Sequence, residues 1–261
     1  MRKAYQIPEG SRTAKGSNVI NLLEIEQGER VTSMIEVIEF APDAYLTMVT
    51  RNGIIKRTLL SEYEYQRKGG KIALNLDEGD ELVFVKLTFG ETELIIATHN
   101  GNAVRFEESE ARAMGRTARG VIGIRVQDDD YVCGVALVEE GKKLVTITEN
   151  GYGKLSEFDE FRTMKNRGGK GVAAHKINDK TGCLTSIASV DENDDLMMIT
   201  NEGTIIRIPV SGINTYSRTA GGVIVMRLSE GAKIVNFAKV AKEEEAEVTE
   251  IAEQTVENEE N

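Results

Sequence analysis

The chain has 261 residues, 43 acidic against 32 basic side chains, and a formal net charge of −11. On that balance alone a polyanion such as DNA is a poor partner. No apolar run approaches the roughly 18 residues of a membrane-crossing helix, and the N-terminus has no secretory apolar core, so the expected location is the cytoplasm, with no membrane partner. Hydrophobic content of 40% with 29% charged residues fits a soluble globular protein.

Twenty-five glycines against 3 prolines, few aromatics and no tryptophan point to many short strands joined by tight turns. Taken in chain order, those strands form a repeat. Residues 1–30 read as the second half of a unit, and four fuller units follow. Each has an apolar strand, Thr-x-x-Gly, a second strand and a basic, glycine-containing loop. The threonines are Thr50, Thr98, Thr148 and Thr200, and the glycines Gly53, Gly101, Gly151 and Gly203 stand 48, 50 and 52 residues apart. A second marker is the glycine before a short alternating strand: Gly16, Gly70, Gly120, Gly171 and Gly222, at spacings of 54, 50, 51 and 51. Two independent markers sharing a period near 50 define a repeat architecture.

The clearest unit predicts four strands, Leu82–Phe89, Glu93–Thr98, Asn102–Phe106 and Val121–Val126. Asn-Gly at 52–53, 100–101 and 150–151 supplies the positive-φ residues of a two-residue hairpin turn. Val235–Val240 reads as a first strand with no unit after it. No helix longer than a turn or two is expected before residue 240. The expected fold class is all-β, with four-stranded blades in a propeller-like closure; an open row of β-units is the alternative.

The loops between third and fourth strands hold the distinctive chemistry. They carry, in order, Arg12 and Lys15; Arg67, Lys68 and Lys71; Arg112, Arg116 and Arg119; Arg162, Lys165, Arg167 and Lys170; and Arg218. The fourth strands add Arg125, Lys176 and Arg227. A repeat places equivalent loops equivalently, so these side chains are expected along one rim. Glycines allow close approach to a phosphate, and Arg and Lys neutralise it. Such a rim is a curved track for bent double-stranded DNA, needing no base readout. Neither double-glycine loop is a nucleotide-binding P-loop: Ile72 and Gly171 stand where Ser or Thr would reach a magnesium ion. Ser156 removes the dinucleotide fingerprint from Gly151-Tyr152-Gly153.

At these loops the chain resembles the C-terminal domain of the A subunit of bacterial DNA gyrase, a type IIA topoisomerase. The resemblance is carried by Ala4-Tyr5-Gln6-Ile7-Pro8-Glu9, Val19-Ile20-Asn21-Leu22-Leu23, Arg105-Phe106, Arg112-Ala113-Met114-Gly115, Gly123-Ile124-Arg125, Asn150-Gly151-Tyr152-Gly153-Lys154 and Met197-Met198-Ile199-Thr200, spread over residues 3–240. It implies a β-pinwheel over residues 1–241 that wraps DNA on its basic edge and supports negative supercoiling. It implies as partners the gyrase cleavage domain and the B subunit, which hydrolyses ATP; ATP and magnesium serve the whole topoisomerase, and no cofactor or catalytic site is expected in this chain. The family's nucleophilic tyrosine lies N-terminal to this region, and none of the 7 tyrosines here takes that role. The family's heptapeptide box, close to Gln-Arg-Arg-Gly-Gly-Lys-Gly, belongs to a blade that would precede Met1; Gln66–Ile72 and Lys165–Gly171 are degenerate versions of it. The related domain of topoisomerase IV and a protein-binding propeller scaffold are the alternatives; a propeller hydrolase lacks convergent acid, base or metal groups.

Cys133 and Cys183 occupy matching repeat positions and are expected as free thiols, too far apart for a disulfide. His99, His175 and the acidic runs 128–130 and 191–195 read as structural, with no metal site. Residues 243–261 contain 9 Glu and no Lys or Arg, the composition of a disordered tail, so the domain boundary falls at 241/242. Without that tail the net charge is −2, and a nearly neutral disc with gathered basic loops can hold a polyanion. The tail itself is a candidate competitor for the basic rim.

Overall fold

The computed structural model describes residues 6–11, 13–18, 21, 23, 25, 29, 31–65 and 70–242. The disordered-tail expectation for 243–261, and the positions of Arg12, Arg67 and Lys68, lie outside the described residues. The strands are β1 (Tyr45–Thr50), β2 (Ile54–Leu59), β3 (Leu82–Thr88), β4 (Glu93–Thr98), β5 (Asn102–Glu107), β6 (Val121–Ile122), β7 (Val132–Leu137) and β8 (Lys143–Thr148). They continue with β9 (Tyr152–Ser156), β10 (Val172–Ala173), β11 (Leu184–Val190), β12 (Asp194–Thr200), β13 (Ile205–Pro209), β14 (Val223–Ile224) and β15 (Ile234–Ala241). Among the described residues, helical structure is confined to single 3-10 turns such as Glu108–Glu110 and Phe158–Glu160.

Four antiparallel sheets result, in the orders β3-β1-β2-β6, β7-β4-β5-β10, β11-β8-β9-β14 and β15-β12-β13. The all-β, propeller-like architecture is as expected, but the sequence unit is not the blade. The four predicted strands 82–126 divide between two sheets: β4 and β5 form the second hairpin, while β3 and β6 flank the first. Three loops therefore cross to the preceding sheet and lend it a two-residue edge strand, pairing Ile54 with Ile122, Ala103 with Val172 and Tyr152 with Ile224. The segment predicted at 235–240 is the edge of the fourth sheet, paired from Ile234 to Ala241 with β12.

The hairpin turns also differ from expectation. Among the described residues only glycines have positive φ, so Asn52 and its counterparts do not enter the left-handed region. A two-residue turn of the Asn-Gly type needs two such residues. Instead the glycine N–H bonds back to the threonine C=O, at 3.0 Å for Gly53, 2.9 Å for Gly101, 3.1 Å for Gly151 and 3.0 Å for Gly203. The threonine Oγ1 then accepts the next N–H, from Ile54 at 3.3 Å, Asn102 at 3.4 Å, Tyr152 at 3.3 Å and Thr204 at 3.2 Å. Thr-x-x-Gly is thus a closed four-residue turn in which the threonine caps what the glycine opens.

The core lies between successive sheets. Val49, Ile55, Leu94, Ile96 and Phe106 fill the first interface; Ile95, Ala97, Leu144, Phe161 and Ile187 the second; and Val145, Ile147, Leu196, Met198 and Phe237 the third. In β4, Leu94 to Ala97 are fully buried, because a blade between two others is covered on both faces. Strands β3, β7, β11 and β15 pack against one another in succession and so face the common axis. In the first three sheets the short strands and the basic loops take the opposite edge, which is the perimeter.

Candidate nucleic-acid interface

The last three basic loops each run first along the second strand of the hairpin they join. Ala113 bridges Arg57, Thr163 bridges Arg105, and Thr215 bridges Leu155, all in parallel. Main-chain bonds from Met114 to Arg57 O (2.8 Å), Met164 to Arg105 O (2.7 Å) and Tyr216 to Leu155 O (2.9 Å) set the same register three times. The loops thus occupy equivalent perimeter sites, 51 residues apart for Arg116, Arg167 and Arg218 and again for Arg125, Lys176 and Arg227.

The predicted residues fall into two groups. Lys15, Arg112, Arg119, Arg162, Lys165 and Lys170 are exposed, as are Arg125, Lys176 and Arg227. Arg119 is exposed but already engaged, with its guanidinium on the Asp77 carboxylate. Lys71, Arg116, Arg167 and Arg218 are half-buried and bonded to main chain. Lys71 Nζ donates to Glu62 O at 2.9 Å. Arg116 Nη1 donates to Ile72 O (3.3 Å), Arg167 Nη1 to Ile122 O (2.9 Å) and Arg218 Nη1 to Ala173 O (2.8 Å). Each of these three acceptors is two residues past the marker glycine of the preceding unit. The repeated arginine therefore ties its loop to the segment after that glycine, which for Arg167 and Arg218 is the edge strand of the blade before. Its charge still reaches the perimeter, but its position is structural.

Two lysines that sequence patterning passed over lie beneath these loops. Lys56 on β2 and Lys154 on β9 are fully buried, each three residues after its turn glycine. Lys154 Nζ donates to Ser217 O (2.7 Å) and Arg218 O (2.6 Å). Lys56 Nζ donates to Ala73 O (2.6 Å) and to Arg116 O. Burial lowers both to a pKa of about 8, with Glu62 opposing that for Lys56 and Glu160 for Lys154. In the second sheet Val104 stands in their place, and the neighbouring Arg105 bonds the 3-10 turn instead, donating to Phe158 O (2.7 Å) and Phe161 O (3.2 Å). The only sequence signal is a lysine flanked by apolar residues or glycine early in a strand, in Ile54-Ile55-Lys56 and Gly153-Lys154-Leu155.

His175 is also buried, at 2% exposure, where the other units have Ile124 and Met226. Its Nε2 lies 3.2 Å from Gly221 O, an obligate acceptor, so Nε2 carries the proton and Nδ1 accepts from Thr146 Oγ1 at 2.9 Å. His99 stacks on Tyr131, whose ring also carries the Arg51 guanidinium. Cys133 and Cys183 are free thiols. Among the described residues, no group of three or more His, Cys, Asp or Glu side chains is placed to hold a metal, and no helix is long and apolar enough to cross a membrane.

The chain matches the family model described as the DNA gyrase C-terminal domain, beta-propeller, over residues 2–37, 44–88, 92–139, 142–191 and 194–241. It is 40% identical over 240 residues to the DNA gyrase A protein of Salmonella typhimurium, covering 92% of this chain and 27% of that protein. It is 41% identical over 246 residues to the corresponding gyrase protein of Staphylococcus epidermidis, covering 93% of this chain and again 27% of the relative. The chain thus spans about a quarter of the length of these relatives. A crystal structure of the C-terminal domain of DNA topoisomerase IV superposes with a TM-score of 0.81 at 28% identity, over 94% of this chain and 76% of that one. A DNA gyrase A C-terminal domain superposes with a TM-score of 0.78 at 24% identity, over 91% and 77%, a likeness of fold. With its repeats matched along nearly the whole described length, the chain belongs to the DNA gyrase C-terminal domain, beta-propeller family.

Proposed function

We propose that this chain binds double-stranded DNA and bends it around its perimeter, as the DNA-wrapping part of the A subunit of a type IIA topoisomerase. One observation carries the reading: cationic side chains recur at fixed perimeter positions, in register with the blades. A duplex lying along that edge meets Arg112, Arg119 and Arg125, then Arg162, Lys170 and Lys176, then Arg227. Contact with successive loops forces curvature, and the contacts are to backbone charge, so binding is sequence-tolerant.

In this reading the exposed side chains neutralise phosphates, the repeated arginines hold the loops in blade order, and no bond is made or broken here. ATP, magnesium and strand cleavage belong to the other parts of the topoisomerase, the cleavage domain and the B subunit. The wrap presents a DNA crossing of one sign to that cleavage domain and supports negative supercoiling. The topoisomerase IV superposition supports a second assignment, to the A subunit of that enzyme.

Ligation of nicked circular DNA with increasing protein tests the proposal. Wrapping shifts the linking number of the closed product in proportion to bound protein. Binding with no shift would reduce the chain to a DNA-binding module, and no binding would leave a protein-binding scaffold.

A further inference from the structure

We propose that Lys56 and Lys154 are positioning residues for the DNA-binding loops, each acting from beneath by drawing the main chain of the repeated arginine inward. This rests on the proposed DNA-binding reading of the perimeter. The two lysines stand at the same point of the first and third hairpins, and both reach the carbonyl of the arginine that ties the loop to the preceding segment, Arg116 or Arg218. That arginine is therefore gripped twice. Its main chain is held by the lysine of the sheet it lies on, and its side chain holds the segment before.

A buried lysine is a costly way to fill a core site, since its head must be desolvated. A strand residue satisfied only by packing would be apolar, as Val104 is at the equivalent place in the second sheet. The acceptors explain the lysine. A loop folded over the end of a hairpin turns some carbonyls toward the protein, and carbonyls buried there need donors. Lys154 supplies them to two consecutive residues, Ser217 and Arg218, and so fixes the loop's direction where it passes the perimeter. Lys56 joins Arg116 to Ala73, so it also binds the neighbouring segment. The loop over Val104 is one residue longer between its 3-10 turn and its marker glycine. It is held by other means: Gly168 N–H on Gly123 O at 2.7 Å, and Arg167 Nε on Glu110 O at 3.0 Å.

The test compares Lys154→Met with Leu155→Ala, a core truncation on the same strand, and Lys56→Met with Met48→Ala. Melting temperature, DNA affinity and salt slope are measured for all four and for the wild type. The expected result is at least tenfold weaker DNA binding for each lysine variant, and less than threefold for the truncation with a similar loss of melting temperature. Equal weakening within each pair would make the lysines merely structural and overturn the proposal. Hydrogen exchange on the wild type reads the same point without mutation. Residues 214–221 are expected to exchange more slowly than 162–170, which have no lysine beneath them, and equal rates would also overturn it. Failure of the wild type to bind DNA at all would instead refute the perimeter reading.

Discussion

The guanidinium of Arg218 donates to the carbonyl of Ala173 at 2.8 Å and so fastens the last basic loop to the edge strand of the blade before it. Arg167 makes the same bond to Ile122, and Arg116 to Ile72. A charge-assisted bond of this kind contributes about 1.5–3 kcal/mol, and a lysine cannot reproduce the fork. Arg167→Lys keeps the charge and loses the two-point grip on Ile122 and Glu110. We expect it to lower stability by about 1–2 kcal/mol, or a few degrees of melting temperature, and to leave the salt slope of DNA binding unchanged. Lys165→Gln with Lys170→Gln should do the reverse. Both side chains are exposed, so melting is unaffected while the slope of log K against log salt falls by roughly 1.8. Thermal melts and salt titrations of both variants check the division of labour.

Arg119 offers a test in the gaining direction. Its guanidinium sits on Asp77, with 63% of the arginine side chain and 40% of the aspartate side chain exposed. An exposed pair adds little to stability, but the carboxylate competes with a phosphate for the same donors. Asp77→Asn should tighten DNA binding, steepen the salt slope by roughly 0.9, and leave the melt in place. A variant that binds no better would show that Arg119 does not face the duplex.

What could be read in advance follows physical lines. The period, the all-β class and the register of the loops were legible because each unit must solve the same turn with the same two residues, threonine and glycine. The phase of the blade was not. A two-residue strand such as Val121–Ile122 has the same apolar pattern whichever sheet receives it, so its transfer to the preceding blade leaves no trace in composition. The burial of Lys154 was equally hidden, since its partner Ser217 comes 63 residues later. The same holds for Arg116, Arg167 and Arg218: their charge was visible, and the carbonyls they serve were not.

The turn glycines make an internal comparison. Gly151 has φ of +82°, and a Cβ there would stand 2.2 Å from Met226 O, a main-chain atom of the exchanged segment. Gly141 has φ of +75° with open space around it. Gly141→Ala should cost only the left-handed penalty, about 1–2 kcal/mol. Gly151→Ala carries that penalty and also displaces the loop that lends β14 to the third sheet. We expect a loss above roughly 3 kcal/mol, in the range reserved for core disruption. Similar costs for the two, measured by urea unfolding, would mean that the exchanged segment yields more readily than its packing implies.

His175 gives the perimeter a pH dependence of definite sign. Burial lowers its pKa from 6.5 to about 4, with Lys154 adding to the effect and the bond to Gly221 opposing it. The unfolded chain therefore binds a proton between pH 6.5 and about 4 that the folded chain refuses. The histidine's contribution is complete above pH 6.5 and is lost as the pH falls toward about 4, a difference of about 3 kcal/mol at most. Protonation would place a cation at Nδ1, remove the acceptor for Thr146, and set a second positive charge beside Lys154. Carboxylates titrate in the same window, so the informative quantity is the difference between the wild type and His175→Met, which borrows the residue found at 226. The variant should lose less stability than the wild type between pH 6.5 and 4.5. Parallel curves would place the proton on the folded histidine without penalty, against the geometry of its two bonds.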